Sequence, residues 1–109
     1  MKILFDQGTP KPLKVYLPAH EVVLAGELGW STLKNGELLL AAEQAGFQLF
    51  VTTDQNLAYQ QNLKGRIIAL VVLGSGRWPH IEKSVSLVVQ AIERAKQGTF
   101  EIVPIPFGD

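Results

Sequence analysis

The stretch Ile67-Ile68-Ala69-Leu70-Val71-Val72-Leu73 decides the fold. It is apolar throughout, rich in β-branched side chains, and closed by Gly74-Ser75-Gly76. A run of this length and makeup reads as a strand buried on both faces, the habit of parallel sheets. Working outward, Phe47 to Thr53 repeats the pattern and Ile3-Leu4-Phe5 repeats it in a shorter form. His20 to Leu24 is shorter and more polar, which sets it nearer an edge. Phe100 to Ile105 reads as a last strand, and Pro104 and Pro106 put its end at an edge too.

Between these strands lie helical segments. Pro10 and Pro12 suit the first turn of a short helix through Leu17, ended by Pro18. Gly26 to Lys34 is irregular, with one helical turn. Asn35 is placed to cap a helix from Gly36 to Ala45, with Gly46 as its C-cap. Asp54 to Asn62 is a polar, partly helical excursion. Ile81 to Lys96 is the longest helix, with Ile81, Val85, Val88, Val89 and Ile92 recurring on one face, and Gly98 stops it. Strands alternating with helices specify an α/β class: a single three-layer domain with a mostly parallel sheet of four to five strands flanked by helices. The expected order puts strand one centrally, strand two on one side, and strands three and four on the other, with right-handed crossovers. Ligands then bind outside the carboxyl ends of strands one and three, where the winding reverses.

Composition bounds the rest. The chain has 109 residues, 47% apolar and 18% charged, which is one domain with a real core. Lys plus Arg and Asp plus Glu number 10 each, so no bulk basic coat is available to grip nucleic acid. Cysteine is absent, which removes disulfides, thiolate zinc sites and Cys nucleophiles together. His20 and His80 alone do not make a His-rich metal site. No stretch approaches the roughly 20 apolar residues of a membrane span, and the first apolar run stops at Asp6, too short for a signal-peptide core. A cytoplasmic protein with no membrane partner is the expectation.

Two acids stand out against this frame. Asp6 follows strand one and Asp54 follows strand three. If those strands are neighbours, the carboxylates stand about one strand spacing apart, roughly 5 Å. Carboxylates that close repel, so one is protonated or a cation lies between them. An oxygen-only donor set suits Mg²⁺ or Mn²⁺. Glu37, in the first turn of the helix leading into strand three, starts from the same sheet edge and is a third candidate acid. An acid there also serves the helix dipole, and an Asp at a strand end also forms caps and turns. Asn56, two residues past Asp54, offers a neutral oxygen or a phosphate contact. Arg77, in the loop Gly74 to His80, is placed to meet a phosphate. That loop lacks the lysine and spacing of a P-loop. Trp78 beside it either stacks on a base or covers the core edge. Neither a Ser-His-Asp order nor a nucleophile elbow is present.

Three segments together carry a family resemblance. Lys2-Ile3-Leu4-Phe5-Asp6-Gln7 resembles the opening strand and first acid of PIN domains. Leu33-Lys34-Asn35-Gly36-Glu37-Leu38-Leu39 is similar to their acid-bearing helix, and Leu49-Phe50-Val51-Thr52-Thr53-Asp54-Gln55-Asn56 to their later strand with its Thr-x-Asp ending. The likeness runs from about Lys2 to Leu73 and points to the short PIN-like proteins of bacteria. It implies a PIN-like fold and a Mg²⁺- or Mn²⁺-dependent ribonuclease, often a toxin encoded beside an antitoxin. Asp6 and Asp54 map onto the catalytic, metal-holding acids. Such proteins often carry Asp at the first helical position, where this chain has Asn35, with Glu37 two residues on as the third catalytic and metal-holding acid. Asn35, Asn56 and Arg77 are then the substrate-binding candidates. RNA and an antitoxin protein are the implied partners, and an exposed Val and Ile stripe on the long helix would be a homodimer or antitoxin surface. The alternative is a non-catalytic PIN-like module that binds nucleic acid or protein with a degenerate acidic site. A response-regulator receiver fits less well, because Gln7 follows Asp6 and no Lys follows Leu73.

Overall fold

The computed structural model describes residues 1–55 and 66–106, with Asn35 described by its backbone. Continuous apolar runs become strands because both faces of each can be covered. β1 is Lys2–Phe5, β2 Glu21–Leu24, β3 Leu49–Thr52, β4 Ala69–Leu73 and β5 Phe100–Val103. Every residue of β3 and β4 is buried. Among the described residues these strands form one sheet in the order β2-β1-β3-β4-β5, and every pairing is parallel. The α/β expectation therefore holds, with strand one inside the sheet and strand two at one edge.

Registered pairs set the two faces. Ile3 lies beside Leu49, which lies beside Ala69. On this face Ile3, Phe5, Val51 and Val71 pack with Leu13 of the 3₁₀ helix Lys11–Tyr16 and with Leu17, its C-cap. The same cluster holds Ile81 of α2 (Trp78–Lys83) and Val88 and Ile92 of α3 (Val85–Arg94). On the other face Leu4, Phe50, Leu70 and Val72 pack with Leu38, Leu39 and Ala42 of α1 (Asn35–Gln44). Three layers result.

Several boundaries differ from the sequence reading. The expected helix Ile81 to Lys96 is two helices, starting at Trp78 and breaking at Ser84, whose φ of −118° and ψ of 20° leave the helical region. Pro79 fits the first turn of α2, where a missing N–H costs nothing. Ser84 and the β-branched Val85 propagate a helix poorly. Lys34, not Asn35, is the N-cap of α1, and Asn35 is its first residue. Ala45 is the C-cap, and Gly46 follows it with φ at +86°, the left-handed turn that glycine adopts without strain. A second 3₁₀ turn, Ala25–Leu28, supplies the single helical turn expected between Gly26 and Lys34. The excursion expected at Asp54 to Asn62 falls largely outside the described residues.

Crossover hand is the larger correction. From β1 to β2 the chain passes over the Leu13 face and steps toward one edge. From β2 to β3 it passes over the Leu38 face and steps the other way, so the two crossovers share a hand. From β4 to β5 it returns over the Leu13 face while stepping in the β2-to-β3 direction. Its hand is opposite to the other two, so the three crossovers do not all follow the usual right-handed rule. With that hand α2 and α3 cover Val51, Val71 and Leu73, which would otherwise be open beside the 3₁₀ helix. The other face of β5 is left partly bare, with Phe100 36% and Ile102 44% exposed. Among the described residues no helix is long and apolar enough to cross a membrane.

Candidate functional site

The strand order reverses between β1 and β3, and there the two expected acids stand. The Asp6 amide donates to Val51 O at 2.9 Å, carrying the ladder one residue past β1. That holds Asp6 beside Thr52. Its Oδ1 accepts the Gln7 amide at 2.8 Å, and its Oδ2 accepts the Thr52 hydroxyl at 2.7 Å. Thr52 is fully buried, and its Oγ1 in turn accepts the Asp54 amide at 3.1 Å. One hydroxyl therefore ties the Asp6 carboxylate to the Asp54 backbone. An O–H donor to a carboxylate at this distance is a strong, charge-assisted bond. Asp54 stands two residues past Thr52, the end of β3, rather than directly after the strand.

The loops after β1, β3 and β4 converge on this edge. A Cβ on Gly8 would lie 2.9 Å from Thr53 Oγ1, so any larger residue there would make the Thr53 side chain shift. A Cβ on Gly76 would lie 3.4 Å from the same hydroxyl and 3.6 Å from Gly8 O. Thr9, also buried, donates its hydroxyl to Val51 O at 3.0 Å. Gln55 Nε2 donates to the Leu73 and Thr53 carbonyls, joining the exit of β3 to the end of β4. Ser75 is buried, accepts the Arg77 amide at 3.1 Å, and lies 3.3 Å from His80 Nδ1. This bracing leaves the Arg77 side chain exposed on the rim.

The other predicted residues fall as follows. Glu37 is exposed, and its Oε1 accepts the Lys34 amide at 3.2 Å. It thus closes the first turn of α1, satisfying an amide that the helix leaves open. Among the described residues no three His, Asp or Glu side chains gather into a group able to hold a metal ion, so Glu37 does not join Asp6 and Asp54. Asn35 opens α1. Asn56 lies outside the described residues. Thr52 is the residue that sequence reasoning left without a role. Its signal was a hydroxyl at the end of an otherwise apolar strand.

The opposite edge of the sheet carries different features. A pocket of about 390 Å³ there is lined by Met1, Glu43, Phe47, Gln48, Ile67 and Lys96, among others. Its carboxylate is already engaged. Glu43 Oε2 accepts the Ile67 and Ile68 amides at 2.8 and 3.2 Å, and Oε1 accepts Arg66 Nη1 at 3.0 Å. Burial pushes the Glu43 carboxyl up, but those two amides and the guanidinium outweigh it and hold the group below its ordinary value. This Glu43 site ties α1 to the entry of β4, and it lies away from the edge where open α/β sheets take their ligands.

Compared with known proteins, the chain matches no family model, no curated protein and no solved structure.

Proposed function

We propose that this chain is a PIN-like, Mg²⁺- or Mn²⁺-dependent ribonuclease of the cytoplasm, with Asp6 and Asp54 as its cation-holding acids. The observation that carries the reading is the Asp6–Thr52–Asp54 link at the reversal of strand order. The donor chemistry fits a small hard cation. Each Asp6 oxygen accepts one hydrogen bond and keeps further acceptor capacity. One or two carboxylates with retained waters is an ordinary Mg²⁺ set. A divalent cation held there supplies acidity to water and positive charge beside a phosphodiester. The chain's own part is positioning. Thr52 fixes the Asp6 carboxylate and the Asp54 backbone, and Arg77 offers a forked donor to a phosphate on the rim. The resemblance of three segments to PIN domains supports RNA as the polymer and an antitoxin as the protein partner.

A second reading, a binding module with a degenerate site, is favoured by one observation. Glu37 is spent on the α1 cap, which leaves two acids rather than three. Calorimetric titration with Mn²⁺ and cleavage of single-stranded RNA separate the two. The nuclease reading expects Mn²⁺ binding that Asp6→Asn and Asp54→Asn each abolish, and cutting in Mn²⁺ but not in EDTA. Unchanged Mn²⁺ binding in both variants overturns it. An inert natural chain that gains cutting through Asn35→Asp establishes the degenerate site instead.

A further inference from the structure

The 3₁₀ helix Lys11–Tyr16 and the loop into α2 meet where Tyr16 and Trp78 touch, their ring centroids 6.0 Å apart and tilted by 43°. Charge is unevenly spread here. The whole chain balances 10 cations against 10 acids, yet Gln7 to His20 and Gly74 to His80 contain no acid at all. These two segments carry Lys11, Lys14 and Arg77, all exposed. Lys11 and Lys14 are one 3₁₀ turn apart, so they lie in one column about 6 Å from each other. That is close to the step between successive phosphates of an extended strand. Tyr16 is 41% exposed although it is aromatic, and Trp78, half-buried against the core, is in ring contact with it. The patch adjoins the acids. Gly76 abuts Thr53, and Arg77 and Trp78 are the next two residues, within about 8 Å of it along the backbone.

We infer that this patch is a binding track for single-stranded RNA, with a base stacked on Tyr16 and phosphates on Lys11, Lys14 and Arg77. The inference rests on the nuclease reading only for the sense of its position beside Asp6 and Asp54. Stacking on an aromatic ring requires an unpaired base, because a duplex keeps its faces covered. Three cations are too few for a bulk coat but enough for one short strand. Each neutralised phosphate contributes about −0.7 to the slope of log affinity against log salt, so three give about −2.

The test is fluorescence anisotropy with a labelled ten-nucleotide oligouridylate in EDTA, where a metal-dependent nuclease is silent. The expected slope is about −2, and Lys11→Gln, Lys14→Gln and Arg77→Gln each flatten it by about 0.7. Tyr16→Ala is expected to weaken binding at least about fivefold, and Tyr16→Phe to restore it. An RNA duplex of the same sequence length is expected to bind more weakly. Wild-type affinity in Tyr16→Ala, equal affinity for duplex, or no binding at low salt overturns the inference. Cutting in Mn²⁺ that ignores Tyr16→Ala and the Lys variants sinks the track and leaves the nuclease reading standing. Binding with this signature in a chain that never cuts keeps the track and sinks the nuclease.

Discussion

Thr52, the last residue of β3, and Asp6, the residue after β1, lie side by side though 46 residues apart in sequence, joined by a 2.7 Å bond from hydroxyl to carboxylate. Because the same hydroxyl takes the Asp54 amide at 3.1 Å, its removal strands a donor and an acceptor together. Thr52→Val keeps the shape and deletes the hydroxyl. It is expected to cost about 1–3 kcal/mol in urea denaturation, the penalty of leaving buried polar groups unmade. Thr52→Ser retains the bond. Amide hydrogen exchange at Asp54 is the specific readout: faster in Thr52→Val, unchanged in Thr52→Ser. Equal exchange in all three proteins would show that the hydroxyl does not hold the two acids.

Glu37 is expected to behave as a cap. Glu37→Ala removes the acceptor of the Lys34 amide and an acid from the first turn, at about 0.3–1 kcal/mol. Glu37→Gln keeps an acceptor and should leave stability nearly unchanged. Mn²⁺ affinity, measured by calorimetry, should be the same in both. A tenfold loss in Glu37→Gln would instead make it a third ligand that leaves the cap when metal arrives.

Acid sensitivity is expected to centre on Glu43. Its carboxyl titrates lower in the folded chain than in the unfolded one, so the unfolded state takes up its proton first. The stabilisation is therefore complete above the unfolded value, about 4.3, and is lost as pH falls through the lower folded value. The melting temperature of wild type relative to Glu43→Gln should be highest near neutral pH and converge as the solution is acidified. A constant difference down to about pH 3 would remove Glu43 from the account.

Neighbouring positions on α3 should respond very differently. Val88 is fully buried and Leu87 is 49% exposed. Val88→Ala deletes two methyl carbons from the core, at about 1–3 kcal/mol. Leu87→Ala should stay within about 0.5 kcal/mol. Denaturant midpoints at equal slope give both numbers. A large loss for Leu87→Ala would mean that the outer side of α3 is covered in solution, by a second copy or another protein.

Much of the fold was legible because a parallel sheet buries its strands on both faces. Leu49 to Thr52 and Ala69 to Leu73 could not be written with alternating polar residues, so they announce themselves. Strand order followed from that, and with it the meeting of Asp6 and Asp54 at one edge. What stayed hidden depends on direction rather than position. An acid in the first turn of a helix reads the same whether it turns back to an amide or out to an ion, and Glu37 turns back. Thr52 looked like one more β-branched strand residue, because nothing in the sequence says where its hydroxyl points. The break at Ser84 interrupts no apolar spacing, since Ile81 before it and Val88 after it pack into the same core cluster. The hand of the last crossover depends on which face the other segments leave open, a question that only the assembled layers answer.

The first strand of this chain is an interior one, and that has a kinetic consequence. Ile3, Leu4 and Phe5 are fully buried between β2 and β3, and their β3 partners, Leu49 to Val51, are made 46 residues later. No local hairpin is available to shelter them, because parallel neighbours are joined by long connections. On the β3 side, Ile3 to Phe5 must therefore wait unpaired until Leu49 to Val51 emerge from the ribosome. Closing such distant pairs costs loop entropy before any contact repays it, which slows folding relative to a helical bundle of equal length. Growth conditions that slow translation lengthen this wait, so the yield of folded chain is tied to the pace of synthesis as much as to the depth of the native well.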